Sequence, residues 1–180
     1  MKTAVVILNW NGRGFLEKFL PNVIEYTSTT TGAEVIVADN GSTDDSVKWL
    51  TANHPDTRLI KFNTNYGFTG GYNKALAEIN AEYYVLLNSD IEVTPNWLEP
   101  LVQLMASNPN IAACLPKLKA YHKTDYFEYA GAAGGLIDKS RYPFCRGRIL
   151  DPIAQDTDQY DDAYEILCAT GASLRVRAGD

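Results

Sequence analysis

The sequence predicts an α/β fold, a mostly parallel sheet with helices on both faces. Three observations carry this. Apolar runs recur at 3–8 (TAVVIL), 34–39 (EVIVAD), 57–62 (TRLIKF) and 83–88 (YYVLLN), and such near-continuous runs mark strands covered on both faces. The intervals between them carry apolar residues at helical spacing, so strand and helix alternate four times. Each run also ends in a polar cluster: Asn9-Trp10-Asn11-Gly12, Asp39-Asn40-Gly41-Ser42, Asn63-Thr64-Asn65-Tyr66-Gly67 and Asn88-Ser89-Asp90.

The first helix is read from the stripe Phe15, Leu16, Phe19, Val23 and Ile24, with Pro21 expected to kink it or end its first part. The second carries Val47, Trp49 and Leu50 behind a start signal in which Ser42 is placed to cap and Asp45 follows three residues on. The third runs from about Gly71 to Ile79. The fourth opens at Thr94-Pro95, a cap followed by proline at the first helical position, and carries Trp97, Leu98, Leu101, Val102, Leu104 and Met105. Beyond Pro109 the regularity fades into a stretch rich in aromatic, Gly and basic residues, then a polar acidic loop at 151–162. Residues 164–176 (YEILCATGASLRV) return to strand character, broken at Thr170-Gly171. With no repeat and no linker, one domain is expected, with a nucleotide-binding half at 1–108 and the start of an acceptor-side half at 109–180.

The 180 residues are 46% hydrophobic and 21% charged, enough for one core that buries roughly 70% of the unfolded surface. A net charge of -6 excludes general nucleic-acid binding, which needs a basic footprint. No run reaches membrane-spanning length and no signal peptide is evident. Cys114, Cys145 and Cys168 are odd in number and far apart, so neither a disulfide framework nor a zinc site is indicated, and reduced, mostly buried thiols are expected. His54, His122, Trp49 and Trp97 read as structural residues. Arg141, Arg146 and Arg148 read equally well as a solvated loop or as phosphate contacts.

In an open parallel sheet, ligands bind beyond the carboxyl ends of the strands, where all four polar clusters would lie. Each alone is ordinary turn composition; their coincidence on one rim is the signal. The first turn, NWNGRG, lacks the GxGxxG of a dinucleotide fold, and it lacks the Gly-rich basic loop of a sugar nucleotidyltransferase. Phosphates, if bound, would then be neutralised by a hard cation, Mg²⁺ or Mn²⁺, held by Asp90 and the phosphates themselves; taken alone, Asp90 reads as the start of the turn into IEVTP.

The segments VVILNWNG, VADNGSTDDS, NYGFTGGYNKAL and VLLNSDIEVTPNWL, in this order, resemble the first half of family 2 glycosyltransferases with the GT-A fold, a Rossmann-like α/β architecture. YAGAAGG, FCRGRI and ATGASLRV resemble the continuation of the bacterial, rhamnosyltransferase-like branch that builds cell-surface polysaccharide. The resemblance implies an inverting transfer from a UDP- or dTDP-sugar donor to a saccharide or lipid-linked acceptor, in the cytoplasm or peripheral at the inner face of the membrane. It places Asn9, Trp10 and Asn11 in the nucleotide pocket, Asp39 on the base or ribose, and Asn65, Gly67 and Gly71 over the nucleotide. Asn88, Ser89 and Asp90 take the place of the DxD motif, with Asp90 on the metal.

Two departures stand out. Asn88 replaces the first acid of that motif, and Tyr72 stands where many relatives carry a basic residue. The family's general base follows the stretch matching Ala169–Ala172 by some tens of residues, so it is expected beyond Asp180, and the domain is expected to be incomplete at its C-terminus. The acidic run Asp151, Asp156, Asp158, Asp161 and Asp162 is the other candidate source of a base. A non-catalytic nucleotide-binding module is the alternative from another class, and a sugar nucleotidyltransferase the weaker enzymatic one.

Overall fold

The computed structural model describes residues 2–128, 133–148 and 153–179. It divides into two compact units, Met1–Ala113 with Gly171–Asp180, and Cys114–Thr170. Asp151 and part of the YAGAAGG and FCRGRI segments lie outside the described residues.

In the first unit, β1 (Thr3–Asn9), β2 (Ala33–Asp39), β3 (Arg58–Lys61) and β4 (Tyr83–Asn88) alternate with α1 (Arg13–Thr27), α2 (Ser46–Asn53), α3 (Gly67–Ala77) and α4 (Glu99–Ser107). With β5 (Ala113–Cys114) and β10 (Ser173–Arg177) the sheet order is β3-β2-β1-β4-β10-β5. β1 pairs in parallel with β2 and β4, aligning Val5 with Val35 and Val85, and β10 runs antiparallel to β4.

The pleat sorts the apolar runs by parity. Val5, Ile7, Val35, Val37, Val85 and Leu87 pack with Leu16, Leu20, Leu50, Leu98 and Val102 of the α1, α2 and α4 side. Ala4, Val6, Ile36, Ala38 and Ile60 pack with Tyr72 and Ala75 of α3. Period-two strands with both faces covered are what the continuous runs require. Two arginines fasten β10: Arg175, fully buried, lies 4.3 Å over the Tyr83 ring, and Arg177 donates to the Tyr83 hydroxyl at 2.8 Å.

The second unit holds two short antiparallel pairs, β6 (Lys119–Ala120) with β7 (Lys123–Phe127) and β8 (Gly135–Ile137) with β9 (Pro143–Cys145).

Several local expectations are corrected. α1 runs through Pro21 unbroken; the proline is exposed, so water can serve the carbonyl that its missing N–H leaves open. Ser42 does not cap α2. That helix begins at Ser46, whose amide and hydroxyl donate to Asp44. α3 begins four residues earlier than the apolar spacing indicated, where Asn65 Oδ1 accepts the Gly67 amide at 2.7 Å. α4 begins only at Glu99, because Asn96 adopts a left-handed φ of 61° that stops a helix starting at Thr94-Pro95. None of the three cysteines is buried; Cys168 is exposed.

Candidate functional site: the carboxyl edge of the sheet

The strand order reverses at β1, where the chain returns from β3 to place β4 on β1's other side. In doubly wound sheets the crevice opens beyond the carboxyl ends at such a point. Four of the sequence clusters meet this rim, and the side chains divide into those that brace it and those that face solvent.

Asn9 and Asp39 are register partners at the ends of β1 and β2, and both are sealed from water. Asn9 Nδ2 donates to Asp39 Oδ1 at 3.0 Å and to Ser42 Oγ at 3.2 Å, while Asp39 Oδ2 accepts the Ser42 amide at 3.0 Å. Ser42 Oγ accepts the Asn11 amide at 2.9 Å, and Asn11 Oδ1 accepts the amides of Thr43 and Asp44 at 2.7 and 3.2 Å. Asn11 sits at a left-handed φ of 51°, a conformation asparagine tolerates better than most residues. The β1–α1 turn and the β2–α2 loop are thereby stitched into one layer.

Asn40 ties in the third loop. It is buried, donates to Asn65 Oδ1 at 2.9 Å and the Gly67 carbonyl at 3.0 Å, and accepts the Tyr66 amide at 3.0 Å. Gly41, at φ 76°, leaves room for this crossing: a Cβ there would lie 2.5 Å from the Thr64 backbone. Gly71 serves packing, since its Cβ would come within 2.9 Å of Asn40 Nδ2 and of Leu8. Asp44 closes the arrangement. Burial alone would raise its carboxyl, but hydrogen bonds from Ser46 and the Arg13 amide, with the Arg13 charge, hold it below the usual range.

Outward from these braces stand Trp10, Tyr66 and Phe68, exposed by 57%, 43% and 53%. At the end of β4, Asn88 and Ser89 are half-buried, and the Asn88 amide donates to the Ala172 carbonyl at 2.9 Å. Asp90 is exposed and forms no hydrogen bond or ion pair among the described residues. Its carboxylate is available to a hard cation, whose other ligands would be phosphate and water oxygens.

Tyr72, at the position where the resemblance expects a basic residue, is core. Its hydroxyl donates to the Leu87 carbonyl at 3.1 Å, its ring meets Phe68 edge-on, and burial pushes its pKa up. The acidic run is engaged elsewhere, within the second unit. Lys117 Nζ bridges Asp156 at 2.8 Å and also Asp161, Lys119 reaches Asp156 at 3.0 Å, and Arg146 holds Asp162 at 2.8 Å. Asp156, Asp158 and Asp161 converge within 4.8 Å, and the two lysines already pair with Asp156 and Asp161. Arg146 is stacked on Tyr160 and Tyr164, so it is a loop fastener.

A model of the family described as glycosyl transferase family 2 matches residues 4–173. The chain belongs to that family. Among curated relatives, an N-acetylglucosaminyl-diphospho-decaprenol L-rhamnosyltransferase of Mycobacterium tuberculosis is 23% identical over 64% of this chain and 40% of its own. An undecaprenyl-phosphate 4-deoxy-4-formamido-L-arabinose transferase of Yersinia enterocolitica is 30% identical over 57% of this chain and 33% of its own. The chain thus spans 33–40% of the length of these two relatives. A mannosyltransferase structure from Pyrobaculum calidifontis, in complex with GDP-Man and Mn²⁺, aligns with TM-score 0.57 and 25% identity over 66% of this chain and 36% of its own. A TarS structure from S. aureus, in complex with UDP-GlcNAc, aligns with TM-score 0.57 and 23% identity over 66% of this chain and 35% of its own. The fold of this glycosyl transferase family 2 chain is GT-A, a mostly parallel sheet between helices.

Reading the sequence placed Asn40 and Gly41 only as members of a strand-end cluster, and gave Asp44 and Phe68 no role. The run DNGSTDDS contained the first three, but turn composition does not tell which polar side chains point inward.

Proposed function

We propose that the chain binds the donor of an inverting sugar transfer, from a UDP- or dTDP-activated sugar to a saccharide or lipid-linked acceptor in cell-surface polysaccharide synthesis. The observation that carries this reading is the rim itself: three loops locked by buried Asn9, Asp39 and Asn40, beside an exposed, unengaged Asp90 at the end of β4. A site whose donors are fixed before the ligand arrives loses little ordering entropy on binding. Trp10, Asn11, Asn65 and Gly67 are exposed and offer direct contact to the nucleotide. Asn9, Asp39 and Gly71 lie beneath them and set their positions, and Asn88 and Ser89 flank the diphosphate.

Mg²⁺ or Mn²⁺ on Asp90 would stabilise the negative charge that grows on the departing diphosphate. The mannosyltransferase relative, in complex with GDP-Man and Mn²⁺, supports the metal and makes guanine the competing base. The lipid-linked names of the relatives support a polyprenyl acceptor and a peripheral, cytoplasmic-face location; no helix among the described residues is long and apolar enough to cross a membrane.

Calorimetric titration of UDP, dTDP and GDP, with and without Mn²⁺, tests the reading. Mn²⁺ should tighten the preferred nucleotide at least about tenfold, and Asp90→Ala should abolish that gain, as expected for losing a charged contact. Equal affinity with and without metal would remove Asp90 from the metal. No binding of any nucleotide would overturn the site.

A further inference from the structure

The β8–β9 hairpin ends in a tightly held turn. Asp138 Oδ1 accepts the amides of Ser140 and Tyr142, both at 2.8 Å, and the Asp138 amide donates to the Tyr142 carbonyl at 3.0 Å. Arg141 closes the loop at a left-handed φ of 68°, its amide donating to the Asp138 carbonyl at 2.9 Å. The turn is ordered, so what it presents to solvent is set.

It presents Tyr142, 74% exposed, with Ile137 and Phe144 exposed by 45% and 42%. Lys139 and Arg141 are exposed beside them, and neither pairs with an acid among the described residues. The one carboxylate of the turn is occupied by its own backbone amides. In the strand register Ile137 pairs with Pro143 and Leu136 with Phe144, so Ile137 and Phe144 project from opposite faces of the hairpin. Apolar side chains meant for a core share one face; here they surround the tip.

We propose that this tip docks on an anionic phospholipid surface, Tyr142 at headgroup level with Ile137 and Phe144 beside it, and Lys139 and Arg141 on the lipid phosphates. Tyrosine favours that interface, and lasting attachment combines apolar contact with basic charge. The charges are complementary only locally: the chain carries a net -6, which a negative surface repels, whereas in this turn Lys139 and Arg141 outnumber the single carboxylate of Asp138. The inference deepens the peripheral location proposed above and rests on that part alone, independent of the nucleotide site.

Co-flotation of the full chain with vesicles tests it, comparing phosphatidylcholine alone with phosphatidylcholine mixed with phosphatidylglycerol. The chain should float with the mixed vesicles only, and less so at high salt. Each basic side chain near such a surface is worth about a fivefold change in partitioning, so Lys139→Gln with Arg141→Gln should weaken binding about thirtyfold. Tyr142→Ser should weaken it further. All three side chains are exposed, so nucleotide titration and circular dichroism should match the parent chain and separate lost docking from lost folding. Binding that fails altogether, that survives these substitutions, or that is equal on neutral vesicles would overturn the proposal; the first outcome would turn the tip over to a protein partner.

Discussion

The two compact units are held together by different means. In Met1–Ala113 with Gly171–Asp180, thirteen residues on one sheet face and ten on the other form apolar clusters, and the polar network lies above them at the carboxyl edge. In Cys114–Thr170, the strand pairs are short, Phe127 is fully buried, and the loops are fastened by Lys117, Lys119 and Arg146 to carboxylates. Burial of apolar surface is non-directional and cooperative, whereas a few ion pairs give modest stability that responds to salt and pH. The second region should therefore open first.

The largest effect should come from removing the apolar centre of the weaker region. Phe127 packs on Tyr160, and Gly147 lies so close that a Cβ there would be 2.6 Å from the ring. Phe127→Ala should cost about 3–5 kcal/mol, the usual range for deleting a buried aromatic ring. Native-state hydrogen exchange should show the amides of β7 and β8 losing protection while those of β1 and β4 keep theirs. Equal loss in β1 and β4 would show that the two units unfold as one and that the comparison is only geometric.

A smaller effect is expected at the rim of the stronger region. Asn40→Ala removes the partner of the Tyr66 amide and of the Gly67 carbonyl and one of the two donors to Asn65 Oδ1, at about 0.5–1.5 kcal/mol for each bond lost. Because the β3–α3 loop carries proposed nucleotide contacts, affinity should fall with it. A variant that loses stability but binds nucleotide as before would place the loop outside the site.

The contrast also decides what was legible in the sequence. β1 to β4 were readable to within a residue or two because a two-sided core forces continuous apolar runs, as at Val5, Val6 and Ile7, whereas two-residue β5 was not read and the strand character expected over 164–176 narrows to β10 at Ser173–Arg177. Helix starts were less readable, since Asn96 at φ 61° and the Asp44–Ser46 contact act through local geometry that composition does not encode. At the rim, Asn9, Asp39 and Asp90 were found as strand ends, yet the division into buried braces and an exposed carboxylate depends on the layering of three loops. The second unit resisted reading for a related reason: Lys117 and Asp156 are far apart in sequence, and a long-range charge pair leaves no periodic trace.

That pair gives the smallest and most specific prediction. The Lys117 hydrogen bond is the main cause holding the Asp156 carboxyl below its usual value, against the opposing pull of burial and with help from Lys119. For Lys117, burial acts to lower its pKa, but Asp156 and Asp161 outweigh it and raise it. A carboxyl lowered in the folded state contributes stability that is complete above its unfolded pKa of about 3.9 and is lost as pH falls through the folded value. A raised lysine contributes below its unfolded pKa of about 10.4, and loses that contribution as pH rises through the folded one. The fastening should thus be intact between these limits and fail at both ends. Lys117→Met should destabilise the second unit by about 1 kcal/mol at neutral pH, the scale of a partly exposed pair. The difference between parent and variant, measured by denaturant unfolding, should shrink as pH drops below about 4. A difference that persists unchanged in acid would mean that Lys117 acts through its position 5.8 Å over the Phe127 ring, making the fastener of the second region a packing contact like those of the first.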